Sequence, residues 1–150
     1  MKILVGDEAA MAALGEKIGS ALKGGEVIEL VGDVGAGKTT LTKSIAAALG
    51  IDGPIQSPTF TICNRYEAPN GLQLAHYDFY RLTEPGVMRE ELDESLHDSS
   101  TIVVLEWGDI VADVLGDDRL QINITPTSDS ARELTITGYG TMKQLEEQLA

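Results

Sequence analysis

Gly32-Asp33-Val34-Gly35-Ala36-Gly37-Lys38-Thr39 is the stretch from which the rest of this chain is best read. It satisfies the pattern Gly-x4-Gly-Lys-Ser/Thr through Gly32, Gly37, Lys38 and Thr39. Before it stands Glu26-Val27-Ile28-Glu29-Leu30-Val31, a short β-prone run. After it, residues 38–49 set Leu41, Ile45, Ala48 and Leu49 at helical spacing and stop at Gly50. Strand, glycine-rich turn and helix follow in the order that a phosphate-binding βα unit requires. Consecutive backbone N–H groups in such a turn form an anion-binding nest, and the helix offers its unpaired first donors to the same phosphates. Gly35 and Gly37 allow the backbone to approach closely. Lys38 is placed to reach the β- and γ-phosphates and the Thr39 hydroxyl to ligate Mg²⁺. Asp33, Gly35, Ala36, Gly37, Lys38, Thr39 and Thr40 are therefore assigned to a magnesium-bound nucleoside triphosphate.

Outward from this unit the chain alternates helical and β-prone segments. Asp7 caps a helix expected to run to about Lys23, with the stripe Met11, Leu14, Ile18, Ala21 and Leu22, stopped by Gly24-Gly25. Residues 59–66 and 72–78 flank the turn signal Pro69-Asn70-Gly71 and read as an antiparallel hairpin. Residues 84–98 are acidic and read as helix plus loop, and 101–105 form a fully apolar run typical of a buried strand. Residues 120–125 and 132–137 suggest a second hairpin, and a short helix after Thr141 closes the chain. This order predicts one α/β domain over residues 1–150.

Composition narrows the function. The chain has 150 residues, 43% of them hydrophobic, enough for one core. Its 11 Lys and Arg face 24 Asp and Glu, a net charge of −13. A protein that grips nucleic acid alone clusters cations against phosphates; here direct binding to tRNA, DNA or an anionic membrane is not expected. The single cysteine, Cys63, has no disulfide partner and fits a reducing compartment. No signal-peptide core and no apolar run of membrane-spanning length is present, so a cytoplasmic chain is expected.

A phosphate loop needs acidic help to hold Mg²⁺ or orient a nucleophile. Glu106 follows the apolar run 101–105, where such an acid is expected at the sheet rim, as a Mg²⁺ ligand beside Thr39. Trp107 either flanks the nucleotide or packs over the strand end. On the strand 72–78, residues 76, 78 and 80 share a face, which groups His76, Asp78 and Tyr80. Counting from the turn puts Asp78 opposite residues 60–62, close to Ser57-Pro58-Thr59-Phe60. Ser57 or Thr59 is a candidate hydroxyl for Mg²⁺ or the attacking water; the same residues also read as a plain strand entry. Arg81 reads either as a charge-stabilising finger or as a surface partner of Glu84. His76 and His97 lack metal-ligand spacing, and His76 is read as a hydrogen-bonded structural residue.

Taken together, the loop 32–41, Ser57-Pro58-Thr59-Phe60, His76-Tyr77-Asp78-Phe79-Tyr80-Arg81-Leu82 and Leu105-Glu106-Trp107-Gly108 resemble the TsaE family of bacterial ATPases in order and spacing. Members help to install threonylcarbamoyl on the adenosine beside the anticodon of tRNAs reading codons that begin with A. The resemblance implies a three-layer α/β/α P-loop NTPase-like fold with a mixed sheet. It also implies a TsaD–TsaB heterodimer as partner, with tRNA reached only through it. In this family ATP hydrolysis is held to drive or reset the synthase. Carried over by motif, Lys38 and Thr39 would bind ATP and Mg²⁺, Glu106 would bind Mg²⁺, Asp78 would serve hydrolysis, and Ser57-Pro58-Thr59 would be a switch. Residues 84–98 depart from the family pattern. ATP rather than GTP rests on the resemblance and on the lack of an Asn-Lys-x-Asp segment; the neighbourhoods of Ala10 and Arg132 are candidate adenine contacts. Two other readings of the same loop are a small-molecule kinase, against which the lack of an Arg-rich lid counts, and a nucleotide-gated adaptor that barely hydrolyses ATP.

Overall fold

The run at 101–105, followed by Glu106, is apolar on both of its alternating faces, a pattern that a strand satisfies at the centre of a sheet covered on both sides. In the computed structural model, which describes every residue except 34, 57, 59–61, 81, 83 and 85, this run is β5 (Thr101–Glu106), buried at all of its residues. β5 lies between β2 (Val27–Val31) and β4 (Gln73–Asp78) and is parallel to both. β6 (Arg119–Pro126) adds in parallel on the other side of β2. Antiparallel neighbours complete the sheet: β3 (Cys63–Glu67) beside β4, β7 (Arg132–Tyr139) beside β6, and β1 (Lys2–Val5) beside β7. The order across the seven strands is β1-β7-β6-β2-β5-β4-β3.

Alternate residues of the central strands feed two cores. Ile28, Leu30, Leu74, Ile102, Val104, Leu120 and Ile122 pack against α1 (Glu8–Ala21), α2 (Lys38–Ala48) and α5 (Lys143–Leu149). Val27, Ala75, Tyr77, Val103 and Leu105 face α3 (Met88–Leu96) and the short α4 (Ala112–Leu115). This is the expected α/β/α sandwich around a mixed sheet. α1 starts at its Asp7 cap, whose carboxylate accepts the Ala10 N–H at 2.8 Å. Both glycines of α1 face α2. A Cβ on Gly19 would lie 2.6 Å from the Ala48 Cβ and 2.7 Å from the Ile45 carbonyl, and one on Gly15 would collide with Ser44. The two helices thus approach backbone to backbone, with the phosphate loop at the start of one of them.

Two details differ from the sequence reading, and two others sharpen it. β1 is an additional strand; only its inward residues pack, with Val5 buried and Ile3 partly so. In α2 the buried positions are Lys38, Leu41, Thr42, Ile45 and Ala46, whereas Ala48 and Leu49 are only partly buried. The hairpin register pairs Cys63 with Tyr77, so the backbone N–H of Asp78 meets the Ile62 carbonyl at 2.8 Å, at one end of the expected window. Glu106, expected at the sheet rim after the apolar run, is the last residue of β5 and 4% exposed. Within β2, Glu29 points to the face opposite the phosphate loop, where Arg119 Nε at 3.2 Å and Gln121 Nε2 at 2.8 Å satisfy its buried carboxylate.

Candidate functional site

The glycine-rich turn lies where β2 ends and α2 begins, beside the C-terminal ends of β4 and β5. Gly35 and Gly37 have φ of +83° and +111°, left-handed values that L side chains rarely adopt. Gly37 is the N-cap of α2, and no side chain caps the helix. Its first turn, at Lys38, Thr39 and Thr40, therefore opens into a cavity of about 480 Å³, within the usual range for small-molecule sites. Asp33, also assigned to the ligand, is not among the residues lining that cavity; its carbonyl accepts the Ala36 N–H at 3.0 Å and closes the turn.

Lys38 is 6% exposed. Its ammonium donates to the Gly32 carbonyl at 2.6 Å, lies 3.5 Å from Glu106 Oε1, and sits 4.5 Å from the centre of the Trp107 ring. Trp107 occupies the left-handed region at φ 58°, costly for a side chain this large, and Gly108 follows where a Cβ would strike Leu105. That kink folds the indole back over the lysine, with Tyr80 beside it at a ring separation of 4.8 Å. Trp107 thus lines the cavity and also packs on the core beneath the end of β5, in keeping with both of its sequence readings. The other oxygen of Glu106, Oε2, lies 2.8 Å from Nε2 of His76, which is fully buried on β4.

Asp78 and Glu106 are register partners on adjacent parallel strands and both line the cavity. Burial, and then the neighbouring Glu106 carboxylate, raise the Asp78 pKa from its ordinary value; the Tyr80 N–H, at 3.0 Å from Oδ1, opposes this, as do His76 and Lys38. A carboxylate whose folded-state pKa is raised weakens the fold once it ionises, so its charge costs stability above its folded pKa and costs nothing below the unfolded value near 4. Asp78→Asn is therefore expected to raise Tm at neutral pH, with the gain vanishing as the pH falls below about 4. Paired thermal melts across that range measure it; a lower Tm for Asp78→Asn at pH 7 would contradict the environment described.

Thr59, Ser57 and Arg81, expected as switch residues and finger, lie outside the described residues. Of the candidate adenine neighbourhoods, Arg132 lines the cavity but Ala10 does not; the same end of α1 contributes Asp7, Glu8 and Met11 instead. The sequence points to Arg132 by position only, and its geometry shows more: Nε donates to the Ala36 carbonyl at 3.0 Å, while its terminal nitrogen is taken up by the carbonyls of Ser128 and Ala131. It ties the β6–β7 turn to the phosphate loop. The Glu106 contact of His76 depends on strand register and is invisible to local spacing.

Comparison with known proteins agrees with this geometry. The family model for threonylcarbamoyl adenosine biosynthesis protein TsaE matches residues 5–134. The chain belongs to the TsaE family. A tRNA threonylcarbamoyladenosine biosynthesis protein TsaE from Streptomyces coelicolor is 37% identical over 135 residues, covering 87% of this chain and 91% of that one. The TsaE of Bacillus subtilis is 42% identical over 120 residues, covering 79% and 73%. The crystal structure of YdiB from B. subtilis superposes with a TM-score of 0.79 at 34% identity, covering 99% of this chain and 93% of that one. TsaE family membership and the P-loop NTPase-like sandwich thus go together in this chain. Among the described residues no helix is long and apolar enough to cross a membrane.

The residues present suit a magnesium–nucleotide complex. Thr39, Glu106 and Asp78 offer hard oxygen donors to the cavity. Among the described residues there is no group of three His, Cys, Asp or Glu arranged to hold a metal by itself. Such a donor set matches Mg²⁺, which takes one or two protein oxygens and completes its shell with phosphate and water.

Proposed function

We propose that this chain is a magnesium-dependent ATP hydrolase that supports the threonylcarbamoylation of tRNA together with a TsaD–TsaB heterodimer. The observation carrying the proposal is the buried Lys38 ammonium at the head of an uncapped, glycine-led helix, facing two carboxylates on adjacent strands inside one cavity.

Each residue then has a task. The loop at Gly35, Ala36 and Gly37 and the first turn of α2 bind phosphate oxygens through backbone N–H groups. Lys38 turns from Gly32 and Glu106 toward the β- and γ-phosphates. Thr39 and Glu106 hold Mg²⁺, which when bound neutralises charge on the phosphate oxygens. Asp78, whose raised pKa makes its ionised carboxylate a better base, orients the attacking water and accepts its proton. Trp107 and Tyr80 form an aromatic wall that keeps bulk water from the lysine. The net charge of −13 opposes autonomous tRNA binding and supports contact with tRNA through partners.

The test is reconstitution. Purified chain is mixed with TsaD–TsaB, Mg·ATP and tRNA, following ADP release and threonylcarbamoyladenosine formation. Slow hydrolysis by the chain alone, faster with the heterodimer, and modification that needs both is the expected result. ADP release that is indifferent to the heterodimer, or rapid only with an added small metabolite, would overturn it.

A further inference from the structure

We infer that His76 is a positioning residue, holding Glu106 so that one carboxylate oxygen stays turned to the cavity when Lys38 leaves it. The inference rests on the proposed function and extends it to a residue that does not line the cavity.

Three observations carry it. The first is the division of labour on Glu106: Oε2 lies 2.8 Å from His76 Nε2, and Oε1 lies 3.5 Å from Lys38 Nζ. A carboxylate only accepts, so Nε2 is the nitrogen that carries the hydrogen and donates it. The second is the state of the other ring nitrogen. His76 is fully buried, and its Nδ1 has no hydrogen-bond partner among the described residues. A histidine retained only for architecture would have both nitrogens satisfied, or would be replaced by an apolar residue packing with Leu74 and Val104 on the same face. Here one bond is kept at the expense of an orphaned polar atom, and that bond is to Glu106.

The third is what happens at Glu106 as the site fills. Lys38 is its only cationic neighbour facing the cavity among the described residues, and a lysine that turns to phosphate leaves it. The hydrogen bond from β4 remains, because His76 is locked in the sheet and does not touch the ligand. A glutamate with three rotatable bonds would otherwise swing into the vacated space. Groups that hold a metal-ligating side chain in this way typically change metal affinity by about 10- to 100-fold when removed.

The readout uses metal affinity rather than turnover. Trp107 is the only tryptophan and lies 4.5 Å from the Lys38 ammonium, so its fluorescence reports on the site. ATP is titrated first in EDTA, then Mg²⁺ is titrated at saturating ATP, with calorimetry as a check. His76→Leu is expected to bind metal-free ATP like the parent but to need about 10-fold more Mg²⁺, while His76→Gln, which keeps an N–H at similar reach, returns to within about 3-fold. Adding His76→Leu to Glu106→Gln is expected to change Mg²⁺ affinity no further, because the two act as one unit. A folded His76→Leu with the parent's Mg²⁺ requirement overturns the inference. So does a folded His76→Gln as impaired as His76→Leu, or additive losses in the double variant. Should His76→Leu not fold, His76→Asn takes its place: its amide is too short to reach Glu106, and a parent-like Mg²⁺ requirement there is equally fatal. A parent chain with no response to Mg·ATP sinks the proposed function and this inference with it; where the parent responds, the variants bear on His76 alone.

Discussion

Lys38→Ala is expected to reduce ATP hydrolysis by about 10³-fold, close to the assay floor, whether the chain is assayed alone or with its heterodimer. The size follows from where the ammonium sits. It is buried at 6% exposure between the Gly32 carbonyl, the Glu106 carboxylate and the Trp107 ring, a position that a cation arriving from solvent does not reproduce. Preorganised charge on a side chain shielded from water is worth far more against developing phosphate charge than the same charge in bulk solvent. The substitution also leaves Glu106 with His76 alone. Losing the counter-charge of a buried carboxylate destabilises, but this one lies at the edge of a cavity that water can enter, so a cost of about 1–2 kcal/mol is expected, below the about 3–5 kcal/mol of a fully enclosed pair. Lys38→Arg is not a rescue, because a planar guanidinium does not fit the space set by a carbonyl at 2.6 Å and an indole at 4.5 Å. ADP release with circular dichroism melts on the same samples checks both parts. Parent-like turnover in a folded Lys38→Ala protein would remove the phosphate-loop assignment.

What the sequence makes legible is whatever depends on neighbours a few residues away. The helical stripe Met11, Leu14, Ile18 is local, and so is the Asp7 cap; both lie where periodicity puts them. The phosphate loop is local too, since its pattern, its strand and its helix are contiguous. The hairpins at Pro69-Asn70-Gly71 and 126–131 carry their own turn chemistry, and their registers follow from it. Features fixed by distant pairing are not legible. β1 has four residues, and what makes it a strand is β7, which lies at the other end of the chain. Glu106 reads as a strand-end acid because nothing local says that β4 will bring a buried histidine within 2.8 Å of it. The motif treats its x positions alike, so the internal use of the Asp33 carbonyl in the turn is not legible either. Gly15 and Gly19 read as weak spots in a helix, because propensity sees only one helix at a time. Their purpose is on the surface of the other.

That purpose gives the second large effect: Gly19→Val is expected to destabilise the chain by about 3 kcal/mol, at the upper end for overpacked cores, and to lower Tm by about 10 °C. A Cβ at this position meets the Ala48 Cβ at 2.6 Å and the Ile45 carbonyl at 2.7 Å. The carbonyl belongs to helix backbone and cannot step aside as a flexible side chain can, so α1 and α2 must separate. Gly19→Ala gains about 1 kcal/mol of helix propensity against the same clash, and so should fall between parent and valine variant. Gly6→Ala is the control, since nothing lies within 4 Å of its added Cβ; its Tm should stay within about 2 °C of the parent. The effect also reaches the site. Met11 of α1 and Gly37 at the head of α2 both line the cavity, and a Cβ on Gly37 would come 3.2 Å from the Met11 terminal carbon. Prising the helices apart moves the first turn of α2 away from the wall it faces. Nucleotide affinity in Gly19→Val should therefore fall even well below its melting temperature, while Gly6→Ala binds as the parent does. Thermal melts, together with nucleotide titration in the cold, separate the two consequences. A Gly19→Val chain that melts with the parent would mean that α1 does not pack on α2 through its glycine face, and the wall of the site would have to be drawn again.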